Sequence, residues 1–176
     1  MTKEILISGF GGQGVLFAGK LLAYNGMKKG QEVSWLPSYG PEMRGGTASC
    51  SVIISDEMVG SPIIMNPDIL IAMNLPSLDR YEKETRAGGQ IFYDSSLIER
   101  SVERSDVESF GIPATKLAND NNLPGLANMI MVGHMIAKSG ITDLAEVSDV
   151  LTKMIPAKKA NLIELNQKAI SIGFHY

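Results

Sequence analysis

The sequence predicts an α/β protein whose sheet is mostly parallel and flanked by helices, with an inserted antiparallel hairpin and a helical C-terminal third. Short apolar runs alternate with helical patterns through the first two thirds of the chain, as in sheets that helices cover on both faces. The last third carries apolar residues at helical spacing. With 176 residues and neither an internal repeat nor a long linker, the chain is predicted to form a single domain over residues 1–176.

The first unit is predicted to be a strand, a helix and a second strand. Residues 4–8 form an apolar run, residues 13–29 carry an apolar stripe at helical spacing, and residues 32–36 alternate as a strand does. Lysines near the end of the helical pattern and Gly30 after it are typical of a helix C-terminus. The connection between the two strands should be a right-handed crossover.

The remaining elements follow in the same way. Residues 47–62 predict the antiparallel hairpin, made of a strand, a turn at residues 55–57 and a short return strand. Residues 77–89 predict a charged helix on which Glu82 and Arg86 form an exposed ion pair. Further strands are predicted at 68–74, 90–96 and 107–113, and further helices at 114–119, 126–138, 144–154 and 157–172.

Composition excludes several classes of partner and site. The net charge is −3 and no basic stripe is present, so no nucleic acid partner is expected. Cys50 is the only cysteine, so it cannot form an internal disulfide or hold an iron–sulfur cluster, and a buried structural thiol is expected. No apolar stretch is long enough to span a bilayer. These features predict a cytoplasmic protein with no membrane partner.

A glycine-rich loop follows the first predicted strand. Its sequence fits G-x-G-x-x-G and opens a helix, which lets backbone N–H groups approach a phosphate. A dinucleotide site also needs an acid at the end of the second strand, where this chain has Ser34–Pro37. The alternative is that the glycines only allow a tight turn and close packing. The candidate cofactor-binding residues here are Gly9, Gly11, Gly12, Gln13 and Gly14.

A second unusual loop, residues 38–46, should leave the same edge of the sheet. The guanidinium of Arg44 suits a phosphate or a carboxylate, and Glu42 is placed to orient it. A solvated surface turn is the alternative. The candidate binding residues of this loop are Tyr39, Glu42, Arg44, Gly45 and Gly46.

Other polar residues are assigned weaker roles. Asp94 ends a predicted strand on that edge, where it either caps the following segment or binds a ligand. His134 and His175 have no nucleophile partner in the sequence pattern, so no catalytic residue and no metal ligand is predicted.

Several stretches together carry a resemblance to a known family. "GFGGQGV" (9–15), "LPSYGPEMRGGTASCSVIISD" (36–56) and "PDILIAMN" (67–74) resemble the gamma subunit of 2-oxoacid:ferredoxin oxidoreductases, the pyruvate ferredoxin oxidoreductase gamma-domain family. The resemblance implies one Rossmann-like gamma domain. It also implies an enzyme that converts a 2-oxoacid, coenzyme A and oxidised ferredoxin into acyl-CoA, carbon dioxide and reduced ferredoxin. Within the family, the sequence of residues 35–47 most resembles the 2-oxoglutarate or ketoisovalerate type, and 2-oxoglutarate is the expected substrate.

The resemblance also implies partners. Thiamine diphosphate and iron–sulfur clusters would lie on other subunits, because this chain lacks the usual Gly-Asp-Gly thiamine motif and has one cysteine. The chain would bind no cofactor alone, would contact coenzyme A in the complex and would meet ferredoxin only through it. A homodimer through the gamma chain is left open. The alternatives are a free-standing nicotinamide-binding dehydrogenase and a ligand-free structural scaffold.

Overall fold

A computed structural model describes residues 1–38 and 47–176, which form a six-stranded sheet with helices on both faces. The strand order is β2-β3-β1-β4-β5-β6, and β1, β4, β5 and β6 are mutually parallel. β3 runs antiparallel to both β1 and β2. The strands are β1 (Thr2–Phe10), β2 (Glu32–Ser38), β3 (Thr47–Ser55), β4 (Ile69–Ala72), β5 (Gln90–Asp94) and β6 (Glu108–Ile112). The predicted fold class is confirmed.

Six α-helices complete the described part of the chain, and the last four follow the final strand, as predicted. They are α1 (Val15–Lys28), α2 (Leu75–Tyr81), α3 (Ala114–Asp120), α4 (Ala127–Ser139), α5 (Leu144–Met154) and α6 (Ala160–Phe174). A short 3₁₀ turn, Ala157–Lys159, follows Pro156 and leads into α6. None of the helices in residues 1–38 and 47–176 is long and apolar enough to cross a membrane.

The sheet separates a large core from a small one. On what we call the inner face, side chains such as Ile5, Ile71 and Phe92 join apolar residues of α1, α4, α5 and α6 in one continuous cluster. On the outer face, α2 covers a smaller cluster against β1 and β4. The members of the outer cluster are Leu6, Leu70, Ala72, Leu78, Tyr81, Ile91 and Ile98.

Two glycines bring α4 and α6 into backbone contact. A Cβ at Gly133 would overlap the carbonyl oxygen of Ile170, and a Cβ at Gly173 would overlap that of Ile130. Only glycine leaves room for such an approach, so the two helices pack closer than ordinary side chains allow.

The predicted return strand of the hairpin is wrong. β3 ends at Ser55, and residues 56–62 form a loop instead of a strand. The antiparallel partner of β3 is β2 on one side and β1 on the other. Both edges of β3 are therefore occupied, and no backbone groups are left for a return strand to pair with.

The helix predicted at 77–89 is shorter in the structure, and the prediction of an exposed ion pair on it is wrong. The helix begins after Asn74, whose side chain accepts a hydrogen bond from the backbone N–H of Ser77 at 2.9 Å, and it ends at Tyr81. Glu82 is buried and pairs with Arg100 at 2.8 Å. Arg86 pairs instead with Asp68 and Glu4.

The predicted buried thiol is confirmed. Cys50 is fully buried on the inner face, and burial raises its pKa to about 12. Its sulfur occupies the space in which a Cβ at Gly19 would lie. The thiol therefore fills a close contact between β3 and α1.

Candidate functional site

The ends of β1, β2 and β3 bring the two predicted loops to one edge of the sheet, which we call the ligand edge. Ser8 and Ser38 are both in register with Ser49 of β3, so β1 and β2 end at the same level. Phe10, which opens the glycine loop, pairs directly with Thr47. Ser38 and Thr47, which flank the second loop, therefore lie at the same edge of the sheet as the glycine loop, as predicted. Its candidate residues, Tyr39, Glu42, Arg44, Gly45 and Gly46, lie outside the described residues.

The glycine loop needs glycine for geometric reasons at three positions. Gly12 and Gly14 have positive φ angles of 94° and 73°, which side chains rarely adopt. A Cβ at Gly9 would lie 2.8 Å from the Cβ of Met73. Among the described residues, no atom lies within 4 Å of a Cβ built at Gly12. The turn and the close packing therefore explain Gly9, Gly12 and Gly14, and at Gly12 the described residues also leave room above the loop.

The side chain of Gln13 ties the loop to the end of β4. Its Oε1 accepts the backbone N–H of Phe10 at 2.6 Å and the side-chain amide of Asn74 at 3.3 Å. Its Nε2 donates to the carbonyl oxygen of Met73 at 3.2 Å. Because Asn74 also caps α2, the loop shape is fixed by residues 60 positions away.

Asn128 holds the other end of the loop. Its Nδ2 donates to the carbonyl oxygen of Gly14 at 3.1 Å, while its Oδ1 is buried without a donor among the described residues. Gly14 is the N-cap of α1 and supplies no side-chain cap, so the first N–H groups of α1 are not covered by a capping side chain. The loop thus presents backbone N–H groups at a helix N-terminus, which is the arrangement that binds anions.

A cavity of about 240 Å³ adjoins the loop at the ends of β4 and β5. Gly12 and Gln13 line one side, and Thr115 and Asn119 supply polar groups on the other. None of the described residues that line it carries a charge. If a ligand bound here, its negative group would contact the backbone N–H groups of the loop, and an uncharged part of the same ligand would occupy the cavity. The other lining residues are Met73, Leu97, Ala118, Gly125 and Ala127.

Asp94 has the capping role, one of the two roles left open for it. Its carboxylate is fully buried, and it accepts the backbone N–H of Ser96 and of Thr115, each at 3.0 Å. It also accepts the hydroxyl of Thr115 at 2.5 Å. The carboxylate therefore holds the start of α3 against β5 and has no free oxygen turned toward the cavity.

The position of β3 disfavours a nicotinamide site. In dinucleotide-binding domains the strand that carries the ribose-binding acid lies beside the strand that precedes the glycine loop. Here β3 separates β1 from β2, so β2 lies about 10 Å from β1, whereas a direct neighbour would lie about 5 Å away. In residues 1–38 and 47–176 no cluster of three metal-ligating side chains is present either.

Two residues that hold this loop from distant positions in the chain were not predicted from the sequence. Asn74 and Asn128 lie about 60 and 115 positions from the loop they hold, and no local pattern connects them to it. Asn74 carries one local signal, the Asn-Leu-Pro-Ser start of a helix, but that signal concerns only the cap.

Comparison with known proteins gives a consistent result. The family described as Pyruvate ferredoxin/flavodoxin oxidoreductase matches residues 4–176. Ketoisovalerate oxidoreductase subunit VorA of Methanothermobacter marburgensis is 42% identical over 97% of this chain, but the chain spans only 35% of that relative. 2-Oxoglutarate synthase subunit KorC of the same organism is 35% identical, over 89% of this chain and 88% of its own length.

Solved structures share the fold. The gamma subunit of a keto/oxoacid ferredoxin oxidoreductase from Geobacter sulfurreducens superposes with a TM-score of 0.83 at 29% identity, covering 98% of this chain and 96% of that one. A 2-oxoglutarate:ferredoxin oxidoreductase chain from Magnetococcus marinus superposes with a TM-score of 0.88 at 22% identity, covering 98% of this chain and 30% of that one. The chain belongs to the pyruvate ferredoxin/flavodoxin oxidoreductase family and has the fold of its gamma-type subunits.

Proposed function

We propose that this chain is the gamma-type part of a thiamine-diphosphate-dependent 2-oxoacid:ferredoxin oxidoreductase and that its ligand edge contacts coenzyme A. The complex would convert a 2-oxoacid, coenzyme A and oxidised ferredoxin into acyl-CoA, carbon dioxide and reduced ferredoxin. Other subunits would carry thiamine diphosphate and the iron–sulfur clusters, so this chain would be inactive alone. Family membership supports the reaction class.

One observation carries the ligand contact. The glycine loop and both ends of the segment that contains Arg44 meet at the same edge, beside a neutral cavity. The N-terminus of α1 offers partial positive charge to a phosphate, and the cavity offers apolar walls to an uncharged part of the same ligand. Arg44 would add a cation that the described cavity lining lacks. Coenzyme A combines phosphates with a long uncharged arm, and this combination matches the edge.

The oxoacid is proposed from the resemblance and tested by assay. 2-Oxoglutarate is the expected substrate, whereas relatives of this chain include both ketoisovalerate and 2-oxoglutarate enzymes. The complex that co-purifies with this chain should be assayed with 2-oxoglutarate, ketoisovalerate, pyruvate and indolepyruvate. The largest kcat/KM should be for 2-oxoglutarate, and a tenfold preference for ketoisovalerate would reassign the substrate.

The contact of the glycine loop is tested by a matched pair of glycines. Gly12 and Gly30 both have positive φ, and no described atom lies within 4 Å of a Cβ built at either, so alanine should cost each about 1 kcal/mol of stability. In the assembled enzyme, only Gly12→Ala should raise the KM for coenzyme A, by about tenfold, because its methyl group lies above the loop. Equal KM values for the two variants would remove the loop from the coenzyme A site.

The role of Arg44 is tested in the same complex. Arg44→Ala should raise the KM for coenzyme A while kcat and subunit composition stay close to wild type, with Arg80→Ala as the control for loss of an exposed arginine. If the variant instead fails to co-purify with its partner subunits, the loop serves docking. Binding of NADH by the isolated chain would favour the dehydrogenase alternative.

A further inference from the structure

A second cavity, of about 390 Å³, lies among the helices of the inner face. Residues of α1, α4 and α6 and of the segment between α5 and α6 line it. It adjoins the first cavity at Gly125, which lines both. Pockets that bind small organic molecules usually have volumes of about 300–1,000 Å³, so this one is large enough for such a ligand. We call it the helix cavity.

The walls of the helix cavity are mainly apolar. One of them, Leu162 on α6, remains 39% exposed, so the described residues do not fully cover this lining. An apolar group that entered the cavity would be stabilised because it would remove such surface from water. The apolar lining residues are Phe17, Leu126, Met154, Ile155, Pro156 and Leu162.

Two asparagines add hydrogen-bond acceptors to these walls. Asn128 on α4 and Asn166 on α6 both line the cavity and are 5% and 6% exposed. Each amide nitrogen is used, because Nδ2 donates to the carbonyl oxygen of Gly14 at 3.1 Å and of Leu162 at 2.7 Å, respectively. Each Oδ1 is buried with no donor among residues 1–38 and 47–176. Buried acceptors of this kind are rare, so two at one cavity indicate a ligand that donates hydrogen bonds.

The charge beside the cavity is positive. Lys159 carries the one charge among the described residues that line it. Lys159 is also the N-cap of α6, whose first turn has neither an acidic residue nor a side-chain cap. The helix N-terminus therefore adds a partial positive charge to that of the ammonium group. A single negative group on the ligand, such as a carboxylate, would be favoured there.

We propose that the helix cavity binds a small carboxylic acid that has an apolar side chain and an amino or hydroxyl group beside the carboxylate. The apolar side chain contacts Phe17 and Leu162, and the carboxylate faces Lys159. The amino or hydroxyl group donates to Oδ1 of Asn128 and Asn166. Nucleotides do not suit this cavity, because one lysine and mainly apolar walls would leave most of their phosphate charge uncompensated.

Asn128 connects the helix cavity to the glycine loop. The same amide that offers its Oδ1 to the cavity holds the carbonyl oxygen of Gly14, the N-cap of α1, through its Nδ2. A ligand that donates to Oδ1 would fix the amide in this orientation and so stabilise the loop. Binding of the acid should therefore change the affinity of the ligand edge for coenzyme A, and the reverse. This coupling rests on the proposed function, whereas binding of the acid does not.

Four related molecules test which groups the cavity recognises. By isothermal titration calorimetry, the full chain should bind L-leucine and 2-hydroxy-4-methylpentanoate with a Kd of about 1 mM or tighter. 4-Methylpentanoate keeps the carboxylate and the side chain but lacks the donor. L-Leucinamide lacks the carboxylate. Each of the last two should bind at least tenfold more weakly than L-leucine.

Variants of the chain test the same groups from the protein side. Lys159→Met should weaken binding of both acids at least tenfold, whereas Lys158→Met is the control, because Lys158 is exposed on the same turn but does not line the cavity. Asn166→Leu keeps the volume of the side chain and removes its oxygen. It should therefore reduce the difference in affinity between L-leucine and 4-methylpentanoate. Melting curves followed by circular dichroism would verify that each variant is folded.

The proposal is overturned if neither L-leucine nor the hydroxy acid binds at concentrations up to about 10 mM. Equal losses of affinity in the Lys158 and Lys159 variants would also overturn it. In the assembled enzyme, an unchanged KM for coenzyme A at saturating L-leucine would refute the coupling.

Failure of the proposed function has a different outcome. If the chain binds both acids but its complex shows no coenzyme A-dependent oxidation of a 2-oxoacid, the proposed function is wrong and the helix cavity stands. If the complex is active and the acids do not bind, only the assignment of the helix cavity is wrong.

Discussion

The inner face of the sheet is covered by α1, α4, α5 and α6, whereas α2 is the described helix on the outer face. The inner side is one continuous apolar core, closed so tightly that α4 and α6 touch through glycines. The outer side combines a small apolar cluster with buried and exposed charged groups. This difference indicates that the inner face supplies most of the apolar stabilisation, whereas the outer side depends on buried polar contacts as well. The predictions below test that division.

Gly133→Ala should give the largest loss of stability. A methyl group there would overlap the backbone of Ile170, and backbone cannot rotate away as a side chain can. We expect a loss of about 3 kcal/mol in the free energy of unfolding, measured by urea denaturation. Gly60→Ala, where no atom lies within 4 Å of the missing Cβ, is the control and should be close to neutral. A cost below about 1 kcal/mol would contradict the close packing of the inner face.

Glu82→Ala should give the next largest effect, and it lies on the outer side. The buried carboxylate accepts the backbone N–H groups of Glu103 and Arg104 and pairs with Arg100 at 2.8 Å. Removing it leaves these donors without a partner, at a cost of about 2–3 kcal/mol. Glu84→Ala, at an exposed position, should cost little. Equal effects for the two variants would show that the outer polar network carries no stability.

The buried histidine of the inner face should give a pH effect. His134 lies among aromatic rings, and its Nδ1 has no hydrogen-bond partner among the residues that the structure describes. Burial, together with the charge of Lys138, lowers its pKa below the ordinary 6.5. The neutral form is therefore favoured in the folded state. Its stabilisation is complete above pH 6.5 and is lost as pH falls below that value, because the unfolded state binds the proton more readily.

The variant His134→Leu isolates this contribution. Wild type should lose more stability than the variant between pH 8 and pH 5 in urea titrations. Parallel curves for the two proteins would show that His134 does not titrate differently on unfolding.

The smallest expected effect is on the chemical reactivity of the Cys50 thiol and involves no change in the stability of the fold. Because the pKa of Cys50 is raised to about 12 and the thiol is buried, iodoacetamide at pH 8 should leave the native chain unmodified. The urea-unfolded chain should react completely, as mass spectrometry would show. Met58→Cys, at a position 89% exposed in the loop after β3, should add one fast-reacting thiol, and slow reaction there would show that this loop is covered in the free chain.

The sequence predicted the elements whose signal is local. The run Ile69–Ala72 is apolar and short, as a strand buried on both faces must be, and α5 has a clear apolar stripe and an Asp143 cap. The glycine loop was placed correctly because a strand, three glycines and a helix follow one another directly.

Features that depend on distant partners were not predictable from one sequence. The return strand after β3 failed because both edges of β3 are taken by strands from elsewhere in the chain. The spacing of Glu82 and Arg86 suits an exposed pair, but Glu82 is instead drawn to backbone groups about 20 positions later. The contacts of Gln13 and Asn128 that shape the ligand edge are of the same kind.

The place of β1 in the sheet has a consequence for biosynthesis. β1 is synthesised before both of its neighbours, β3 and β4, which begin at Thr47 and Ile69. This apolar strand therefore has no partner until β3 is complete, about 45 residues after Phe10, and its second neighbour is complete only at Ala72. Folding of this kind is slow and exposes the nascent chain to aggregation, so yield on expression should depend on chaperones and on low temperature.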